Sequence, residues 1–191
     1  MNRPADAPSH LSPVFWGEIA PCQHIAQFYE HDGVLIDTLS AFVHGGIKAG
    51  ESVIVIATQP HIEALDLRLN HTGVHVAMSR LTDQYITMVA EEALEKFMVK
   101  QWPDDQLFFN LVTELIERAR SSGRPVRAFG EMVALLWERG NTAATIRLEC
   151  LWNNVCKNNA FSLFCAYPKS GFTEDVAKSM AEICAAHSRI I

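Results

Sequence analysis

From His24 onward the chain alternates two hydrophobic patterns: short runs of adjacent apolar residues, and longer stretches with apolar residues three and four apart. The first is how buried strands read, and the second marks helices with one face turned to a core. "HIAQFYE" (His24 to Glu30) predicts a short strand, followed by a helix from about Gly33 to Ile47 with Leu35, Leu39, Phe42 and Val43 on one stripe. "ESVIVIAT" contains five consecutive apolar residues, Val53 to Ala57, four of them β-branched. A strand covered on both faces of a parallel sheet has that composition. Pro60 opens the next helix, which carries Ala64, Leu65 and Leu69 and ends at Thr72-Gly73.

The second half repeats the alternation. "QYITMVA" (Gln84 to Ala90) fits a strand or the lead into a helix. Asp104-Asp105 caps a long helix with Leu107, Phe108, Leu111, Val112, Leu115 and Ile116 as its apolar positions, and Ser121-Ser122-Gly123 stops it. "PVRAFGEMVALLW" (Pro125 to Trp137) opens as a strand, and "TAATIRLECLWNNVCKN" (Thr142 to Asn158) is an amphipathic helix. "FSLFCAYP" (Phe161 to Pro168) is the last apolar strand, and a final helix runs from about Thr173 to Ser188, with Glu174 and Asp175 in its first turn. Strands alternating with helices of this length imply right-handed crossovers and a mainly parallel sheet covered on both faces. The expected fold is a single three-layer α/β domain over residues 22–191. Residues 1–21 carry Pro4, Pro8, Pro13 and Pro21 without periodicity and read as an arm, whose Phe15 and Trp16 dock on the domain or a partner subunit, or act as a ligand lid.

Composition narrows the function classes. With 49% hydrophobic and 20% charged residues over 191 positions, the chain belongs with globular proteins. A formal charge of -6 argues against a broad nucleic-acid face, which needs a basic surface. No apolar run is long enough to span a membrane, and the first residues lack the basic-then-apolar order of a signal peptide. A cytoplasmic location is expected. The five cysteines form no C-x-x-C pair, and Cys150, Cys165 and Cys184, inside apolar runs, read as buried thiols. His71 and His75 have a spacing that suits a metal, but Gly73 breaks the helix that would align them, so no metal set is nominated there.

"HGGIKAGES" (His44 to Ser52) nearly spells a phosphate loop, with Glu51 where the lysine belongs. A phosphate loop follows a strand and opens a helix, so that N–H groups and the helix dipole converge on the anion. This stretch follows a helix and precedes a strand, so it presents carbonyls and a carboxylate instead. The place for such a loop is Tyr29-Glu30-His31-Asp32-Gly33, which has one glycine, two carboxylates and no lysine. Triphosphate binding in the usual manner is not expected, and no cofactor is called for.

Ligands of open parallel sheets bind beyond the carboxyl ends of the strands. That rule nominates Tyr29, Glu30, His31 and Asp32 after the first strand, Thr58 after the second, Glu131 after a later one, and Tyr167 in the last. Asp32 has the alternative of capping the following helix, and His31 of being a surface residue. Glu131 lies between apolar runs and needs a partner if buried, for which Arg127 or Arg147 is available. Trp137, Arg147, Glu149, Trp152 and Asn153 form a second group, in which Glu149, Trp152 and Asn153 share a helix face. That face lines an apolar pocket, or else Trp152 is core and Glu149 pairs with Arg147 or a neighbour. There is no G-x-S-x-G elbow, no cysteine with an activating neighbour and no metal triad, so no catalytic residue is nominated.

The segments "HIAQFYEHDGVLIDTLSAFVHGGIKAGESVIVIAT", "FGEMVALLWERGN", "RLECLWN" and "FCAYP", in this order, resemble the MEDS family, sensory domains of methanogens, methylotrophs and the dichloromethane regulator DcmR. The resemblance covers about His24 to the C-terminus and implies a RecA/KaiC-like fold without the phosphate loop. It further implies a bacterial signal-input domain, found alone or attached to histidine kinases and transcription regulators, for small organic molecules including hydrocarbon derivatives. A non-catalytic role is expected, with the signal passing to a separate histidine kinase or transcription regulator, or through oligomerisation. It carries no established ligand residues. The alternatives are a divergent nucleotide-binding protein completed by homo-oligomerisation, and a ligand-free interaction module.

Overall fold

The computed structural model describes Trp16, residues 23–171, and residues 181, 183 and 185–191. The rest of the arm, Cys22, Cys184 and most of the expected final helix, including Thr173, Glu174 and Asp175, lie outside the described residues. Ala181, Ile183, Ala185 and Ala186 are helical.

Strand β1 (His24–Tyr29) leads into helix α1 (Asp32–Lys48), followed by β2 (Ser52–Ala57), α2 (Gln59–His71) and the short α3 (Val76–Leu81). Then come β3 (Tyr85–Val89), α4 (Ala90–Phe97), β4 (Met98–Val99), β5 (Trp102–Pro103) and α5 (Asp105–Arg120). The chain closes with β6 (Val126–Gly130), α6 (Met132–Glu138), α7 (Thr142–Asn159), β7 (Ser162–Pro168) and β8 (Arg189–Ile190). "QYITMVA" is therefore both things its pattern allowed, a strand that turns directly into a helix. Asp104 caps α5 as expected, its carboxylate accepting the Leu107 N–H at 3.0 Å.

Six strands form one all-parallel sheet in the order β3-β2-β6-β7-β1-β8. Strand β8 adds to the sequence reading: "FSLFCAYP" is the last apolar strand, and two exposed residues near the C-terminus extend the sheet at the β1 edge. Their brevity explains the miss, since periodicity needs several residues. The β4–β5 pair is a separate antiparallel hairpin.

Alternation along each strand divides the core into two layers. In β2, Val53, Val55 and Ala57 join Leu35, Leu39 and Phe42 of α1 and Leu65 of α2, while Ile54 and Ile56 join the layer formed by α4 to α7. Sheet and two helical layers make a three-layer α/β domain. Trp16 belongs to the α1 side: its ring is 5.1 Å from Phe42 and 5.3 Å from Phe164, and it is buried. That aromatic of the arm docks on the domain.

"HGGIKAGES" is the end of α1 and the turn into β2, as its context required. Gly50 takes φ +80°, a left-handed conformation that glycine adopts without strain. Gly46 has a packing role: a Cβ there would stand 2.8 Å from the Arg127 side chain and from Val53. The closeness matters because fully buried Arg127 reaches across to Glu51, and also donates to the carbonyls of Trp16 and Phe42 at 3.0 Å each.

Candidate functional site

The sheet reverses its winding between β2 and β6. After β2 the chain enters α2 on one face, and after β6 it enters α6 on the other. The carboxyl ends of two neighbouring strands then splay apart and leave a crevice, the usual ligand position in such sheets. Glu131 stands there, continuing the ladder through its N–H to Ile56 O at 2.8 Å. Its side chain is buried, and one carboxylate oxygen accepts the Thr58 N–H at 2.8 Å. The other lies 2.6 Å from Nδ1 of His61, whose Nε2 faces Asp32 at 3.6 Å. An imidazole is thus held between two carboxylates at the sheet edge.

The electrostatics follow from this placement. The bond to Glu131 raises the His61 pKa above its ordinary value, and Asp32 adds to it against the opposing effect of burial. Tyr29, buried at the end of β1, has its phenol pushed up by burial and by the charges of Glu131, Glu138 and Asp32, so it stays neutral. Burial and the same carboxylates raise Glu138. A crevice with Asp32, Glu131 and Glu138 and one histidine favours hydrogen-bond donors and cations and disfavours triphosphate.

Of the residues nominated from sequence, Tyr29, Asp32, Thr58 and Glu131 come together here. Neither proposed partner of Glu131 is correct. Arg127 sits four residues earlier on β6, about 13 Å back at the strand rise, and pairs with Glu51; Arg147 pairs with Asp105 on the surface. Asp32 does not cap α1 but is its first residue, behind His31, which makes no capping hydrogen bond. His31 is exposed, and Glu30 is an exposed partner of Lys169 at 3.0 Å. Sequence reasoning missed His61, whose signal was its place in the first turn of the helix after β2.

Glu149, Asn153 and Tyr167 meet elsewhere, in a buried polar cluster beneath α7. Glu149 does not pair with Arg147. Its carboxylate faces His24 Nε2 at 3.2 Å and His187 Nε2 at 3.4 Å, and accepts a hydrogen bond from the Tyr167 hydroxyl. Burial drives the Glu149 carboxyl upward, but His187, His24 and Tyr167 together outweigh it and hold the group below its ordinary range. Burial beside Glu149 raises the Cys165 thiol well above its usual value, and burial lowers His187. The Glu149, Trp152, Asn153 face does turn inward, but Trp152 is core, packed edge-on against Phe108 at 5.1 Å. Trp137 is also core, 6.2 Å from the Tyr167 ring. Cys150 is a further correction: it is exposed, whereas Cys156 and Cys165 are buried. His71 ends α2 and His75 precedes α3, so the two share no helix.

A separate cleft of about 700 Å³ opens between α4 and α6, with Glu91, Leu94, Met98, Leu136, Arg139 and Asn141 among its walls. It contains none of the nominated residues. Among the described residues no helix is long and apolar enough to cross a membrane.

A three-layer α/β domain with an all-parallel sheet and a polar crevice at its switch point defines the class. The profile of MEDS, the MEthanogen/methylotroph, DcmR Sensory domain, matches residues 23–188, and the chain belongs to that family. No curated protein matches the chain. Membership in a sensory family places it among signal-sensing proteins.

Proposed function

We propose that the domain senses a small organic molecule at the crevice formed by Tyr29, Asp32, Thr58, His61 and Glu131, and passes the signal to a separate histidine kinase or transcription regulator without catalysing a reaction. The observation that carries this reading is the Asp32–His61–Glu131 arrangement at the carboxyl edge of the sheet. Asp32 lies at the turn from β1 into α1, where a phosphate loop would stand, and that turn offers carboxylates instead of a glycine-rich cradle. Glu131 is committed to Thr58 and His61, which makes it a rigid support rather than a free base. Asp32 and the outer nitrogen of His61 are the groups left to meet a ligand, so amines and alcohols derived from short hydrocarbons fit best.

Thermal unfolding of the full chain tests this with magnesium-ATP, magnesium-GTP and a series of short-chain amines and alcohols. A saturable rise with an amine or alcohol, lost in His61→Ala, is expected. Stabilisation by nucleotide accompanied by phosphate release contradicts the proposal.

A further inference from the structure

The cluster beneath α7 holds a donor set that small-molecule sensing at the sheet edge leaves unused. One ligand atom from each of His24, Glu149, Cys165 and His187 lies within 4.8 Å of the other three. His24 Nε2 is 3.4 Å from Cys165 Sγ and 3.2 Å from Glu149 Oε2, and His187 Nε2 is 3.4 Å from Glu149 Oε1. A tetrahedral zinc ion with bonds of about 2.0 to 2.3 Å has ligand-to-ligand edges of about 3.3 to 3.8 Å. These separations are close to that figure without any ion being assumed.

The imidazole orientations point the same way. His24 Nδ1 lies 2.9 Å from Asn153 Oδ1, and the Asn153 amide nitrogen is committed to Ala186 O at 2.8 Å. His187 Nδ1 lies 2.6 Å from Ile183 O. An oxygen acceptor at each Nδ1 keeps the proton there, so in the neutral rings both Nε2 atoms present lone pairs to a carboxylate and a thiol. Lone pairs gathered around a carboxylate in a buried space call for a cation. Consistent with that, Glu149 Oε2 and His187 Nε2 are buried and, among the described residues, meet one another's side chains and His24 without a well-directed hydrogen bond.

We propose that His24, Glu149, Cys165 and His187 form a closed, four-ligand structural site for a divalent zinc-type ion. Mixed nitrogen, sulfur and carboxylate donors suit zinc, and four protein ligands leave no open position for catalysis. Binding takes the proton from the Cys165 thiol and releases it to solvent, so the thiolate enters the coordination shell. The ion fastens the C-terminal segment to the sheet. Beside His187, the Ser188 N–H and hydroxyl both donate to His24 O, at 2.7 and 2.9 Å, and Arg189–Ile190 then pairs with β1.

The test uses the untagged full chain, unfolded in chelator and refolded with zinc alone or cobalt alone. One bound equivalent is expected, with a thiolate-to-cobalt charge-transfer band and the intense visible bands of tetrahedral cobalt. Cys165→Ser abolishes the charge-transfer band, and Cys150→Ser, on the exposed face, preserves it. Asn153→Ala, which touches no metal, lowers zinc affinity about 10- to 100-fold by freeing the His24 ring. If Cys165→Ser does not fold, the wild-type cobalt spectrum decides, because sulfur ligation requires the thiolate band. A folded chain that takes up less than a stoichiometric amount of either metal overturns the proposal. So does a cobalt spectrum that Cys165→Ser leaves unchanged.

Discussion

Replacing Glu131 with glutamine probes the crevice at the residue that organises it. The carboxylate accepts from two donors, the Thr58 N–H and His61 Nδ1, and its side chain is 4% exposed. A carboxamide has one acceptor oxygen, so one of the two bonds is lost and an NH₂ group faces the orphaned donor. Hydrogen bonds to charged groups contribute about 1.5 to 3 kcal/mol each, so Glu131→Gln is expected to cost about that much. For a chain of this size the loss corresponds to a fall in Tm of about 3 to 12 °C. The cost also depends on pH. His61 has a folded pKa above its unfolded value, so its contribution is complete below the unfolded pKa and lost as pH rises through the folded pKa. Wild type and variant should therefore differ most below the ordinary histidine range, and the difference should shrink as pH rises above it. Urea denaturation across that range gives the difference, and imidazole NMR shows the His61 midpoint falling in the variant. A stability difference that is flat with pH, or an unmoved His61 midpoint, would refute the reasoning.

Three further outcomes follow from the packing. Arg127→Met leaves the Trp16 and Phe42 carbonyls and Glu51 without their buried partner, and should cost about 3 to 5 kcal/mol by denaturant unfolding. Gly46→Ala pushes a Cβ to 2.8 Å from Arg127 and Val53; a loss of about 1 to 3 kcal/mol is expected in the same assay. Cys150, exposed on α7, should alkylate in the native protein at least about tenfold faster than buried Cys156 and Cys165, as read by mass spectrometry of digested peptides.

The elements were legible where one physical signal dominated. Val53 to Ala57 could only be a doubly covered strand, and Asp104 announced α5 before any contact was known. The crevice was half legible, because the carboxyl-end rule finds Tyr29, Asp32, Thr58 and Glu131 but stops short of His61, one helical turn further on. The partner of Glu131 was illegible because it depends on long-range distance. Arg127 is close in sequence, yet strand rise carries it toward the other end of the sheet, to Glu51. Cys150 was misjudged for a related reason: it is next to inward-facing Glu149, and a helix turns successive residues about 100° apart. The buried cluster joins His24 from the first strand to Glu149, Cys165 and His187 from the last third of the chain. The pairing of β1 with β7 and β8, with α7 packed over the sheet, brings them together, and no local pattern encodes that.

Amide chemical-shift mapping tests the sensing account most directly. The full chain is titrated with the short-chain amine or alcohol that most stabilises it, and in parallel with magnesium-ATP. The account predicts saturable shifts centred on Tyr29, Asp32, Thr58, His61 and Glu131 for the organic molecule, with none of them moved by the nucleotide. Shifts of those residues by magnesium-ATP, or organic-ligand shifts confined to the α4–α6 cleft, would contradict it.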